Sequence, residues 1–162
     1  MSSLINGVAL YTINVGTTGK FVTLVDGTPR QFITLRDDTP KGHEQRIWEV
    51  NYNPKTERLV MKNPATGNYA AANDMTHYLV GDKMPQLFKL VVMRHDESGD
   101  WVAIQEEDSD RVWTAFDRTE GSKVQTRITN PKTSSANWWW FNLLPGVESE
   151  AGQTSLARGK VV

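Results

Sequence analysis

The stretches "YTINVGTTGKFVTL" (residues 11–24), "LVMKNPATGNYAAA" (59–72) and "VAIQEEDSDRVWTA" (102–115) superimpose without a gap. Each reads as a strand, a turn and a second strand. Ile13, Met61 and Ile104 fall in register, and so do Phe21, Tyr69 and Val112. At the turn stand Gly19, Gly67 and Asp110, residue types that tolerate the left-handed backbone of a tight hairpin. The offsets between the stretches are 48 and then 43 residues, which is the signature of a threefold internal repeat.

Outward from these segments the same texture continues. Helical periodicity is nearly absent, and runs of four to seven residues rich in β-branched and aromatic side chains alternate with Gly, Pro, Asn and Asp. Twelve strands are expected, four per unit. A second motif closes each unit: "IWEV" (47–50), "LFKL" (87–90) and "WFNL" (140–143), reading apolar, aromatic, polar, aliphatic. In a strand the aromatic and the aliphatic share one face and the polar residue points away. Three units of this kind match an all-β architecture, the β-trefoil, with pseudo-threefold symmetry. One domain over residues 1–144 follows, with repeats at about 9–51, 57–93 and 100–144. Residues 145–162, rich in Gly, Ser, Glu and Ala, drop the pattern and read as a mobile tail.

The segment "SSANWWWFNLL" (134–144) carries three of the six tryptophans. On the closing motif as aligned above, Trp140 and Phe141 are structural, while Trp138 and Trp139 match polar or turn residues elsewhere and are surplus. These two are expected beneath the "TNPKTSSAN" loop or the tail. Otherwise one of them is an exposed stacking platform, for which Trp101 and Trp113 are the other candidates.

Composition excludes several classes of function. The net charge of −1 and the scattered Lys and Arg give no footprint for nucleic acid. No run approaches the ~20 apolar residues of a membrane span. With no cysteine there is no disulfide, thiol catalyst or thiolate-bound metal. The N-terminus lacks the basic start of a secretory signal, and the expected location is cytoplasmic.

A catalytic set is also missing from the sequence. His43, His77 and His95 are isolated, with no metal-ligand spacing, and neither a nucleophile elbow nor a phosphate-cradling glycine loop occurs. "EEDSD" (106–110) lacks the glycine and distal glutamate of a calcium loop and sits at a hairpin turn. The expectation is a non-enzymatic binding module, without cofactor or metal, whose function lies in loops on a rigid scaffold.

The units "TGKFVTLVDG", "TPKGHEQRIWEV" and "WVAIQEEDSDRVWTAFDRTEGSKV" resemble small β-trefoil proteins of mushroom fruiting bodies, over residues 5–144. Two branches are similar to this chain. One comprises defensive lectins that bind glycans or glycoproteins. That resemblance implies a shallow sugar site at Tyr52, Asn53, Asn73, Asp74, His77 and Tyr78, with Trp113 as a further stacking candidate. The ricin-type Gln-x-Trp signature is only approximated, by Gln86-Leu87-Phe88, and "AAA" (70–72) falls where those lectins carry a bulky aromatic. The other branch is the mycocypin-type inhibitors of cysteine or serine proteases. It implies two inhibitory loops in the first unit, residues 15–19 (with Gly16, Thr17, Thr18 and Gly19) and residues 36–43, and an asparagine, Asn63 or Asn68, presented to an asparaginyl endopeptidase. Asn68 is the one expected to be exposed. The lectin is the leading reading and the inhibitor the alternative.

Overall fold

The computed structural model describes residues 4–16, 18–115, 117, 119–144, 156–157 and 159–161. Of the 145–162 tail, only two short paired strands, Leu156–Ala157 and Gly159–Val161, fall within that set; residues 145–155 lie outside it.

Among the described residues, twelve strands precede the tail. The first unit holds β1 (Gly7–Val15), β2 (Phe21–Leu24), β3 (Ile33–Arg36) and β4 (Trp48–Asn53). The second holds β5 (Arg58–Asn63), β6 (Asn68–Ala72), β7 (Leu79–Asp82) and β8 (Phe88–Asp96). The third holds β9 (Gly99–Glu106), β10 (Arg111–Thr114), β11 (Gln125–Ile128) and β12 (Trp139–Leu143). The first and fourth strands of every unit pair in a ring, β1-β4-β5-β8-β9-β12 and back to β1, all antiparallel. That closed ring leaves the barrel no free edge. The remaining strands form three hairpins, β2-β3, β6-β7 and β10-β11, which cap the barrel. This is the β-trefoil that the repeats predict.

The core follows the repeat. Ile13, Met61 and Ile104 are fully buried in one layer of the barrel. In the cap, Leu24, Ala72 and Thr114 pair with Ile33, Leu79 and Gln125 across the three hairpins. Ile33 and Leu79 of these pairs, and Val124 next to Gln125, are fully buried. Gly81 lies against this layer: a Cβ there would meet Leu24 Cδ2 at 2.9 Å, so only glycine lets the second hairpin pack so closely.

The register of β12 corrects the third closing motif by two residues. Ile13 faces Phe141 across β1, where Met61 faces Val50 and Ile104 faces Leu90 at the equivalent junctions. Within the units, Trp139 pairs with Val102 as Trp48 does with Tyr11 and Phe88 with Leu59. The motif is therefore Trp138-Trp139-Trp140-Phe141. Trp139 is fully buried, and its Nε1 donates to Trp113 O at 3.2 Å, as Trp48 Nε1 donates to Val22 O at 3.0 Å. Trp139 is thus a core residue and not surplus. Trp138 takes the half-buried place of Ile47, with its Nε1 bonded to Pro131 O at 2.8 Å beneath the loop expected to cover it. Trp140 takes the outward place of Glu49 and Lys89. A shift of two preserves which residues face inward, so the alternation alone could not fix this register.

The same register explains the degraded Gln-x-Trp signature. Its polar position is Arg46, Gln86 and Asn137, two residues before Trp48, Phe88 and Trp139. Each clamps backbone or a side chain beside its own hairpin. Arg46 donates to the carbonyls of Thr39 and Lys41, Gln86 Oε1 accepts from Ala72 N at 2.8 Å, and Asn137 Oδ1 accepts from Thr114 Oγ1 at 2.8 Å.

Trp139→Ala is expected to cost about 3–5 kcal/mol, as truncation of a core aromatic does. Trp138→Ile, which installs the residue of the first unit, loses about one hydrogen bond, roughly 1 kcal/mol. Urea unfolding of both variants checks the register; equal losses would overturn it.

Candidate functional site

The three hairpins converge at the top of the cap through one repeated contact. Phe32 bridges Val80, Tyr78 bridges Gln125 and Lys123 bridges Thr34, so the residue just outside each inner layer pairs with the next unit. Phe32, Tyr78 and Lys123 are therefore equivalents, brought from three units to the pseudo-threefold axis. The rings of Phe32 and Tyr78 meet edge to face with centroids 5.7 Å apart. Lys123 Nζ lies 4.0 Å from the Phe32 centroid and 5.3 Å from that of Tyr78. This is a cation–π cluster.

Beside it runs an open groove of about 440 Å³, lined by Tyr78, Asp117, Glu120, Ser122, Lys123 and Gln125 together with Thr119 and Gly121. The second unit contributes the tyrosine and the third unit contributes the rest. Its walls are held from several sides. Gln125 Nε2 donates to Thr76 O at 3.1 Å, and Thr126 N donates to His77 O at 2.8 Å, which docks the β6–β7 loop onto β11. Ser122 Oγ donates to Asp117 O at 2.8 Å, and Gly121, with φ of 81°, turns the loop left-handed. Glu120 Oε1 accepts from Asp37 N at 2.9 Å and lies 3.8 Å from Lys20 Nζ, which also bonds the Asp37 carboxylate. The bond from Lys20 holds the Asp37 carboxyl below its ordinary pKa, and the same contact raises that of Lys20.

The predicted sugar residues separate into two groups. Asn73, Asp74, His77 and Tyr78 share the β6–β7 loop at the cap. Asn73 Oδ1 accepts from Met75 N at 2.9 Å and Thr76 N at 3.0 Å, so its acceptor is committed to shaping the loop. Asp74 is exposed, and His77 adopts φ of 64° at the turn. Tyr52 and Asn53, on β4, pair with Leu59 and Arg58 at the opposite end of β5, four and five residue steps or ~14–17 Å from its cap end at Asn63. Tyr52 packs against the barrel core, and burial raises its phenol pKa, with Glu57 and Asp100 adding to the effect. Asn53 is exposed on a separate depression of about 720 Å³ on the barrel wall, beside Arg58, Leu87 and Glu107. One site cannot use both groups.

Trp113 is corrected outright. It is fully buried between Phe88, at 5.3 Å, and Trp139, at 5.7 Å, both edge to face, and so presents no ring to a ligand. Asn68 and Asn63 are likewise buried, at 8% and 0% exposure, not presented. Asn63 Nδ2 donates to Gln45 O at 3.1 Å and its Oδ1 accepts from Thr66 N at 3.1 Å, anchoring the β5–β6 turn. Of the first-unit loop, Gly16 and Gly19 are exposed, Thr18 is half-buried and Thr17 lies outside the described residues. Gly16 has a packing reason: a Cβ there would meet Ser135 O at 3.2 Å and Trp101 Cζ3 at 3.4 Å.

What sequence reasoning missed was the third-unit wall, Asp117 and residues 119–125. With β12 in its observed register, Phe21 to Trp48 and Val112 to Trp139 are both 27 residues apart, so loop length offered no signal. Among the described residues, no three His, Asp or Glu side chains gather to hold a metal ion, and no helix is long and apolar enough to cross a membrane.

No family model matches the chain, and no curated protein does. Solved structures do. The agglutinin of Rhizoctonia solani superimposes with a TM-score of 0.70 at 17% identity, over 88% of this chain and 99% of the agglutinin. A ricin B-like lectin of Macrolepiota procera, solved in complex with lactose, gives 0.69 at 16% identity, over 88% and 99%. A mosquitocidal holotoxin gives 0.72 at 14% identity over 87% of this chain, which spans only 18% of that toxin. Two lectins and a toxin thus share the β-trefoil with this protein, and the likeness establishes the fold alone.

The Lys20 contact makes a pH prediction. A carboxyl whose pKa is lowered on folding contributes stability above its unfolded value and loses it as pH falls through the folded value. Asp37 is expected to titrate below an ordinary aspartate, and Lys20→Met to raise its pKa. Carboxyl NMR titration of both proteins reads the difference; an unmoved Asp37 would remove the clamp from the groove wall.

Proposed function

We propose that this protein binds carbohydrate, without catalysis, in the groove beside Tyr78. The observation that carries the reading is the lining itself. One aromatic ring faces carboxylates at Asp117 and Glu120, hydroxyls at Thr119 and Ser122, and the amide of Gln125 in an open depression of about 440 Å³. A pyranose offers an apolar C–H face to a ring and hydroxyls that both donate and accept, and this donor–acceptor mixture suits it. The depression is shallow, as suits the end of a glycan chain reached from solvent. The two lectins of the same fold support the reading, and the lactose complex of one of them makes a galactoside a sensible first probe. The protease-inhibitor alternative draws nothing from Asn63 and Asn68, whose side chains are buried, that of Asn63 in bonds to Gln45 O and Thr66 N.

Tyr78→Ala is fold-compatible in principle, because the equivalent places hold Phe32 and Lys123. The variant is expected to bind at least about tenfold more weakly, ~1.4 kcal/mol, to whichever glycans the native protein retains on an array, with its melting temperature nearly unchanged. Gln125→Ala should weaken the same glycans. Full retention of binding by Tyr78→Ala would sink the groove assignment.

A further inference from the structure

The corrected register leaves one tryptophan that the fold does not need. Trp140 points outward from β12, at the place that Glu49 and Lys89 fill in the other two units. Its neighbour Trp101, on β9, stands where Arg58 stands on β5 and Leu10 on β1. Two units thus carry a charged side chain facing solvent at Trp140's place, and the third carries an indole. The two rings meet with centroids 4.8 Å apart and planes inclined by 55°, and both are half-buried. Absence of a side chain at Gly16 lets the Trp101 ring lie close to the first-unit loop.

An amide pair borders the indoles. Asn14 faces Trp140 directly across the β1–β12 ladder, and Asn142 is the next outward residue after Trp140 on β12. Asn142 Nδ2 donates to Asn14 Oδ1 at 2.9 Å and to Thr12 O at 3.3 Å. Among the described residues this leaves Asn142 Oδ1 as a free acceptor and Asn14 Nδ2 as a free donor. Both residues are half-buried; Asn14 lies opposite the indole on the adjacent strand and Asn142 two residues along β12.

We infer that Trp101, Trp140, Asn14 and Asn142 form a second carbohydrate site, on the barrel wall, for a neutral pyranose stacked on the indoles and hydrogen-bonded to the amides. The size of the platform selects this occupant over a protein. A stable protein interface buries about 800 Å² per partner. Among the described residues, none of the large exposed apolar side chains, Phe32, Met75, Met84, Leu87, Val92 and Ile128, lies on β1, β9 or β12 to extend the patch. Two tilted rings with one donor and one acceptor match a single sugar ring, which needs an aromatic face and fixed polar partners for orientation. The site rests on the carbohydrate reading, but not on the Tyr78 groove. With both occupied, one chain holds two glycans and cross-links surfaces that carry them.

The test uses the tryptophans' own emission, since no tryptophan lines the Tyr78 groove. Native protein, Trp140→Glu, Trp101→Arg and Tyr78→Ala are titrated with lactose, cellotriose and mannotriose, following fluorescence and calorimetric stoichiometry. Trp140→Glu and Trp101→Arg install residues that other units hold at those places, and both are expected to melt close to the native protein. The expected result is an emission change with at least one of the three sugars, weakened tenfold or more in Trp140→Glu and kept in Tyr78→Ala. An emission change with none of the three sugars overturns the wall site. So does a change lost in Tyr78→Ala and kept in Trp140→Glu, although the carbohydrate reading then survives. If both tryptophan variants melt far below the native protein, the indoles are structural and the inference is wrong. If no sugar binds by either readout, the proposed function falls with it.

Discussion

Two indole N–H groups hold the barrel to its cap. Trp48 donates to the carbonyl of Val22 on β2, and Trp139 to that of Trp113 on β10, both from fully buried rings. A buried donor left without an acceptor costs about 1–3 kcal/mol. The β2–β3 and β10–β11 hairpins are seated so that their carbonyls meet these indoles, which fixes their height on the barrel. The second unit has Phe88 at the same place, which needs no acceptor and instead meets Trp113 edge to face. Volume is balanced across the layer and not unit by unit: small Ala70 stands at the place of Trp113, and the extra ring of the third unit lies against Phe88. The topology is threefold while the packing is not.

Much of the scaffold was legible in the sequence because its rules are local. A hairpin needs a left-handed turn residue, and Gly19 and Gly67 supply it with φ of 72° and 78°. A barrel strand needs alternate apolar residues, and Ile13, Met61 and Ile104 mark them. The third closing motif was misread by two residues because Trp139 and Phe141 are both aromatic and face the same way. Only pairing with β1 and β9 distinguishes them, and pairing is not local. The site was legible only in part for the same reason. Tyr78 was identified, but its partners Asp117, Ser122 and Gln125 lie 39 to 47 residues away and meet it through bridges between units. Tyr52 and Tyr78 looked alike in sequence, each near a strand end, yet those ends are opposite ends of the barrel. Trp113 deceived because an indole suits either a core or a surface.

The polar position before each closing aromatic shows how a motif can persist in role while changing in residue. Arg46, Gln86 and Asn137 differ in length and charge, yet each binds a polar group of the hairpin or loop beside it. Arg46 is buried to 3% exposure, and its guanidinium takes up carbonyls of the 38–41 loop with the Asp38 carboxylate alongside. What the fold asks there is a donor or acceptor of the right reach, not glutamine. A search for Gln-x-Trp therefore finds only an approximation at Gln86-Leu87-Phe88, whereas the hydrogen bonds identify all three units.

A pseudo-symmetric fold carries its own controls, because each structural position is filled three times. Where three residues agree in size and burial, as at Ile13, Met61 and Ile104, the fold accounts for them. Where they disagree at the surface, the fold does not, and the departure needs another cause. Phe32, Tyr78 and Lys123 disagree at the cap axis, and Glu49, Lys89 and Trp140 disagree on the barrel wall. Charged residues suit the wall, since they hinder association of an outward sheet face, and an indole there exposes apolar surface to water. Such a residue is retained only if something offsets that exposure. Trp101 covers part of the ring, but the charged or aliphatic residues at its own equivalent places show that Trp101 is no more required by the barrel than Trp140 is. The pair departs together, on adjacent strands, beside two amides that among the described residues keep one donor and one acceptor unused. Coincident departures with complementary chemistry are what separate a site from a packing accident.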